Sequence, residues 1–120
     1  SCDDIKKLAA GIKALGAKNV IITGIERGDK LFNCILDGSG YSERAVRLLP
    51  YRMHGTGDLF ASVFVGGLMT GHSLFESVDS AAAFVPFAME KSQSYEDAHR
   101  RGVCFEPYLH MLAGGLCKQI

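Results

Sequence analysis

The residues in this chain with the most chemical potential are His54-Gly55-Thr56-Gly57-Asp58, a glycine-rich turn that runs straight into an apolar segment. A helix starting here leaves its first backbone N–H groups without intrahelical partners, and the helix dipole adds partial positive charge at the same end. Glycine lets the backbone approach an anion with no Cβ in the way, so the turn can cradle a phosphate. Asp58 falls in the first turn, at the edge of that cradle. A carboxylate there can accept the proton of an alcohol about to attack a phosphoryl group, while the N–H groups stabilise the charge that develops on the transferred group. Taken alone, Gly55, Thr56, Gly57 and Asp58 describe an ordinary tight turn with an acidic helix start equally well.

The elements that position this turn can be read from the spacing of apolar residues. Ile5, Leu8, Ala9, Ile12 and Leu15 predict an amphipathic helix over 3–15, with Lys6, Lys7 and Lys13 opposite and Gly16 as its stop. The β-branched run at 19–24 predicts a strand buried on both faces. Turn chemistry at 26–30 and 37–40 separates it from a second strand over 31–36 and a third over 41–49, closed by Pro50. Residues 59–70 are apolar or small nearly all round, which predicts a helix covered on every side, with Gly66 and Gly67 admitting a close neighbour. Ser73 and Glu76 form a capping box for the next helix, whose inner face is Leu74, Val78, Ala81 or Ala82, Val85 and Met89, and which Pro86 should kink or split. Residues 95–101 are polar and irregular, and 105–112 predict a last short helix ended by Gly114-Gly115. This order predicts a layered α/β protein with a mixed sheet, since the first turns are too short for crossover helices. So short a chain offers a buried helix too few neighbours, so something else should cover it.

The bulk composition narrows the function. With 120 residues the chain suffices for one domain, and 13 basic residues balance 13 acidic ones. No segment is strongly basic, which argues against nucleic acid or an anionic membrane as the main partner, and no apolar stretch reaches membrane-spanning length. Cys2, Cys34, Cys104 and Cys117 are scattered without a C-x-x-C pair and no signal peptide precedes them, as expected of reduced thiols in a cytoplasmic protein. His54, His72, His99 and His110 show no metal-ligand spacing, so no metal site is expected; His54 either touches a phosphate or has a local structural role. Lys6-Lys7 and Arg100-Arg101 read as solvated faces, and Glu96-Asp97 as an exposed turn. The spacing of Gly24 and Gly28 does not fit a dinucleotide fingerprint.

The run from His54 to Ser62, with Gly55-Thr56-Gly57-Asp58-Leu59-Phe60-Ala61 at its centre, resembles the signature of pyridoxal and pyridoxamine (vitamin B6) kinases of the ribokinase-like superfamily. The resemblance extends upstream to Val20-Ile21-Ile22-Thr23-Gly24 and downstream through Gly71-His72-Ser73-Leu74, covering most of the chain. It implies a three-layer α/β/α domain and ATP-dependent phosphorylation of the 5′-hydroxymethyl group of a B6 vitamer, with ATP bound as its Mg2+ complex. By the same resemblance Asp58 corresponds to the catalytic base and Gly55, Thr56 and Gly57 to the anion hole. Thr23 and Gly24 would line the nucleotide phosphates, and Leu49 and Met53 bound the segment that holds adenine and ribose. Met89 is either an adenine contact or an ordinary core methionine.

The resemblance also sets expectations about what lies elsewhere. Residues 1–120 would be the C-terminal, nucleotide-binding portion of a single kinase domain whose vitamin pocket, lid and magnesium-associated acidic residues come from before Ser1. Alone, the chain should bind nucleotide weakly at best and show no kinase activity; the full-length enzyme is expected to be a homodimer. Hydroxymethylpyrimidine kinases share the fold but usually carry cysteine where this chain has Asp58, which ranks them behind. Sugar and nucleoside kinases of the superfamily fit less well. From a different class, a non-catalytic interaction domain with an exposed apolar face would also suit the sequence.

Overall fold

The computed structural model describes residues 1–117, and the side chain of His99 lies outside the described residues. The chain divides into two compact units, Ser1–Leu48 and Leu49–Ile120.

The first unit is a helix and a three-stranded meander. Helix α1, Cys2–Ala14, begins with a capping box: the Ser1 hydroxyl accepts from the Asp4 N–H, and the Asp4 side chain reaches back to the Ser1 backbone. Strands β1 (Val20–Arg27), β2 (Lys30–Asp37) and β3 (Gly40–Val46) follow in the spatial order β1-β2-β3. Both pairings are antiparallel, as two-residue turns dictate: Arg27 pairs with Lys30 and Asp37 with Gly40. The α/β class holds, and any parallel pairing of a mixed sheet would involve strands other than these three. The central strand carries this unit's core, with Asn33, Cys34 and Ile35 all buried beside Val20 and Ala9.

Two expectations change here. The first strand runs past Gly24 to Arg27 because a bulge between Ile22 and Ile25 absorbs Thr23 and Gly24, both of them exposed. Of the run expected to be buried on both faces, Val20 is buried, while Ile21 and Ile22 are partly covered. Asn33 closes the bulge by accepting the Gly24 N–H at 3.1 Å. The third strand stops at Val46, short of the expected Leu49. On this sheet Arg27 donates to Glu43, as does the Cys2 thiol, and the Arg27 hydrogen bond holds the Glu43 carboxyl below its ordinary range.

The second unit is helical. Helix α2, Thr56–Met69, packs on α3, Leu74–Ser92, and a short helix α4, Ala98–Arg101, precedes a closing 3-10 segment, Glu106–Gly115. Ser73 and Glu76 make the predicted capping box. The fully buried residues Ser77, Ala81, Phe84 and Ala88 form an i, i+4, i+7, i+11 stripe. Leu59 and Val63 of α2 and Met111 of the closing segment complete the core around them. Of the two glycines expected to admit a neighbour, Gly67 does so: a Cβ there would lie 2.5 Å from the Ser77 hydroxyl, while one on Gly66 would meet nothing within 4 Å.

Pro86 neither splits nor ends α3, which runs as one helix from Leu74 to Ser92 with Pro86 buried inside it. Proline removes a single N–H bond, and the apolar contacts of its flanks Val85 and Phe87 hold the helix across the gap. Helix α2 is not covered on every side within the described residues: Val65 is 50% exposed and Met69 82%. The four cysteines are free thiols, and burial pushes the Cys117 thiol up to about 11.

Two outcomes follow. Phe84→Ala is expected to cost about 3–5 kcal/mol in a urea titration, the usual range for emptying a buried aromatic site. Because folding depresses the Glu43 pKa, the stability it contributes is present above the unfolded carboxylate value and lost as pH falls through the folded one. Glu43→Gln should therefore flatten the acid limb of a stability-against-pH curve, while an unchanged limb would show that Glu43 does not contribute.

Candidate functional site

The turn His54–Asp58 stands at the start of α2, and its glycines are needed for different reasons. Gly55 is the N-cap with φ 86° and ψ 1°, a left-handed conformation that side chains with a Cβ adopt only at a cost. No side chain caps the helix, and the first intrahelical bond is the one from the Leu59 N–H to the Gly55 carbonyl at 2.9 Å. The N–H groups of Thr56, Gly57 and Asp58 therefore precede the first closed turn, where helices hold anions. A Cβ on Gly57 would meet nothing within 4 Å. Folding of the described chain does not ask for glycine at 57.

The turn is fixed from outside by residues 102–104, which lie between the irregular stretch 95–101 and the predicted last helix. Gly102 is buried, with φ 80° and ψ −160°, and a Cβ there would fall 2.6 Å from the His54 carbonyl oxygen. That oxygen accepts the Val103 N–H at 3.2 Å. Two residues on, the Cys104 N–H donates to the Ser92 hydroxyl at 2.7 Å, and Ser92 in turn donates to the Ala88 carbonyl. The residue before the glycine turn is thus tied to the end of α3 through 102–104. His54 accordingly acts structurally through its backbone, and its side chain lines the groove described next.

From the turn a groove of about 770 Å³ runs along α2 to the closing 3-10 segment. His54, Gly55, Asp58 and Arg101 are among its polar lining; Val103, Phe105, Leu109 and Leu112 supply apolar wall. Asp58 is exposed, and its backbone carbonyl accepts the Ser62 hydroxyl at 2.8 Å, so Ser62 is turned to the helix rather than to the carboxylate. Such an arrangement can hold an anion at the helix start, keep a carboxylate beside it, and lay a flat apolar group along the wall.

The other residues singled out from sequence are not all in this groove. Leu49 and Met53 are partly buried and do not line it, and neither does Met89, which is partly buried and packs against the Leu59–Phe84 core. Thr23 and Gly24 belong to the bulge of the first unit. Sequence reasoning missed Arg101, Gly102, Phe105 and Leu109. The only signal was a glycine after two arginines, which carries no periodicity.

Among proteins of known family, residues 1–102 match the description phosphomethylpyrimidine kinase, and the chain belongs to that family. It is 27% identical over 95 residues to the hydroxymethylpyrimidine/phosphomethylpyrimidine kinase of Aquifex aeolicus, covering 78% of this chain and 37% of that protein. Pyridoxal kinase from Lactobacillus plantarum superposes with a TM-score of 0.77 at 28% identity, over 91% of this chain and 41% of that one. The ADP complex of Bacillus subtilis pyridoxal kinase superposes with a TM-score of 0.68 at 27% identity, over 75% of this chain and 35% of that one. The chain therefore has the ribokinase-like α/β fold of these kinases and spans well under half the length of each of these relatives. One ordering changes: hydroxymethylpyrimidine kinases, ranked behind the B6 kinases on the strength of Asp58, are supported equally by these matches.

Gly102→Ala should lower Tm by several degrees, since it combines a left-handed backbone with a 2.6 Å approach to a carbonyl. Gly57→Ala should leave Tm unchanged or raise it slightly, because alanine is the better helix former. A large loss of Tm in Gly57→Ala would mean that the glycine serves the fold.

Proposed function

We propose that this chain is the C-terminal, nucleotide-side portion of a single ribokinase-like kinase domain that transfers the γ-phosphoryl group of ATP to the 5′-hydroxymethyl oxygen of a B6 vitamer. The observation that carries this reading is the uncapped, glycine-led start of α2 with Asp58 at its edge, opening on a groove with an apolar wall. Asp58 accepts the proton of the substrate hydroxyl as its oxygen bonds to phosphorus and ADP leaves. Gly55, Thr56 and Gly57 hold the transferred phosphoryl group through backbone N–H groups and the helix dipole. By the family resemblance Thr23 and Gly24 are assigned to the nucleotide phosphates, and Leu49 and Met53 bound the segment assigned to adenine and ribose.

Magnesium would enter with ATP. Among the described residues no three His, Cys, Asp or Glu side chains converge on a metal position, so no residue of this chain is assigned to it.

A second reading keeps the chemistry and changes the ring: phosphorylation of a hydroxymethylpyrimidine, favoured by the family match and the Aquifex aeolicus relative. Both substrates present a hydroxymethyl group on a flat nitrogen heterocycle, and Asp58 at the turn favours the B6 vitamer.

Millimolar ATP or ADP is expected to raise the Tm of this chain by about 2–5 °C, given a Kd near 0.1 mM, with the shift lost in Gly57→Val. No shift in the wild-type chain would defeat the nucleotide-site reading. In the longer kinase, Asp58→Asn should keep ATP binding and lose about 10²–10⁴-fold in phosphorylation rate. Retained turnover would remove Asp58 as the base, and a preference for hydroxymethylpyrimidine over pyridoxal would decide for the second reading.

A further inference from the structure

The groove holds one side chain that is charged positively at every working pH, Arg101, and the residues beside it are those that fix the glycine turn. Gly102 sits against the His54 carbonyl and Val103 donates to it, so the Arg101 backbone is anchored beside the glycine turn by its own neighbours. Among the described residues its guanidinium pairs with Asp97, one helical turn earlier, at 3.8 Å with side chains 74% and 56% exposed. A pair that open to water is worth little and exchanges readily for a better anion. The acidic groove residue nearest in sequence, Glu106, is turned to the backbone, where its carboxylate accepts the Phe105 N–H at 3.1 Å. Beyond Phe105 the wall is apolar, with Leu109 left 49% exposed.

We propose that Arg101 is a phosphate-binding residue, closing over the nucleotide's phosphates opposite the N–H groups of the α2 start; this rests on reading the glycine turn as an anion site. The groove then has two cationic elements around one anion. The helix start is built from backbone. Arg101 adds a planar fork that can bind two phosphate oxygens at once. Asp97 pairs with it only weakly and is readily exchanged for a phosphate.

The test uses this chain and titrates ADP, inorganic pyrophosphate and adenosine by calorimetry. Arg101→Gln should weaken ADP and pyrophosphate about tenfold and leave adenosine unchanged, and Arg101→Lys should recover part of the loss. Melting of Arg101→Gln at the wild-type temperature would show that the exposed side chain does not act through the fold. ADP affinity in Arg101→Gln within about twofold of wild type, with binding still abolished in Gly57→Val, would overturn the role of Arg101 while leaving the glycine turn intact. An equal loss for adenosine would also overturn it. A wild-type chain that binds neither ADP nor pyrophosphate would instead remove the anion site itself, and Arg101 with it.

Discussion

The second unit is organised around an unmet demand for hydrogen bonds: α2 begins with three N–H groups that the helix cannot use and no side chain caps. Most helices meet this demand with Ser, Thr, Asp or Asn at the N-cap. Here Gly55 occupies that position in a left-handed conformation, and Gly55 and Asp58 line the groove, while Thr56 and Gly57 do not. Leaving the N–H groups uncapped costs stability in the free chain. The compensation comes from outside the turn, through the His54–Val103 bond, the close fit of Gly102 and the link from Cys104 to Ser92.

Helix α3 is the support on which this rests. Its capping box fixes where it begins, a stripe of four fully buried residues fixes which face meets α2, and Ser92 near its end holds the 102–104 segment. Gly67 brings the two helices close enough that the Ser77 hydroxyl fills the space a side chain would take. Packing and the polar turn are therefore parts of one construction: the core sets the position of α3, α3 sets the segment, and the segment sets the turn.

How much of this was legible in the sequence follows from the range over which each signal acts. The capping box at Ser73 and Glu76, the antiparallel hairpins and the helix after Asp58 are local, and all were readable. The bulge at Thr23 and Gly24 was not, because its cause is a side chain on the neighbouring strand, Asn33. Of the kink or split that Pro86 was expected to cause, the split does not occur, because core contacts of the surrounding helix hold it as one element. The glycine turn was visible as a motif, but its anchor was not, since Gly102 matters only through a backbone oxygen nearly fifty positions away. The exposed Val65 and Met69 on α2 agree with the sequence argument that this helix needs more cover than the described residues supply.

The two anchors, Ser92 to Cys104 and His54 to Val103, also separate length from geometry. Between them the chain makes an excursion through the exposed residues Gln93 to Asp97 before returning at a fixed point. Enlarging such an excursion costs only about 0.6 kcal/mol for each doubling of its length. This is where the fold can accept inserted residues, and with them new surface at the rim of the groove, without moving the turn.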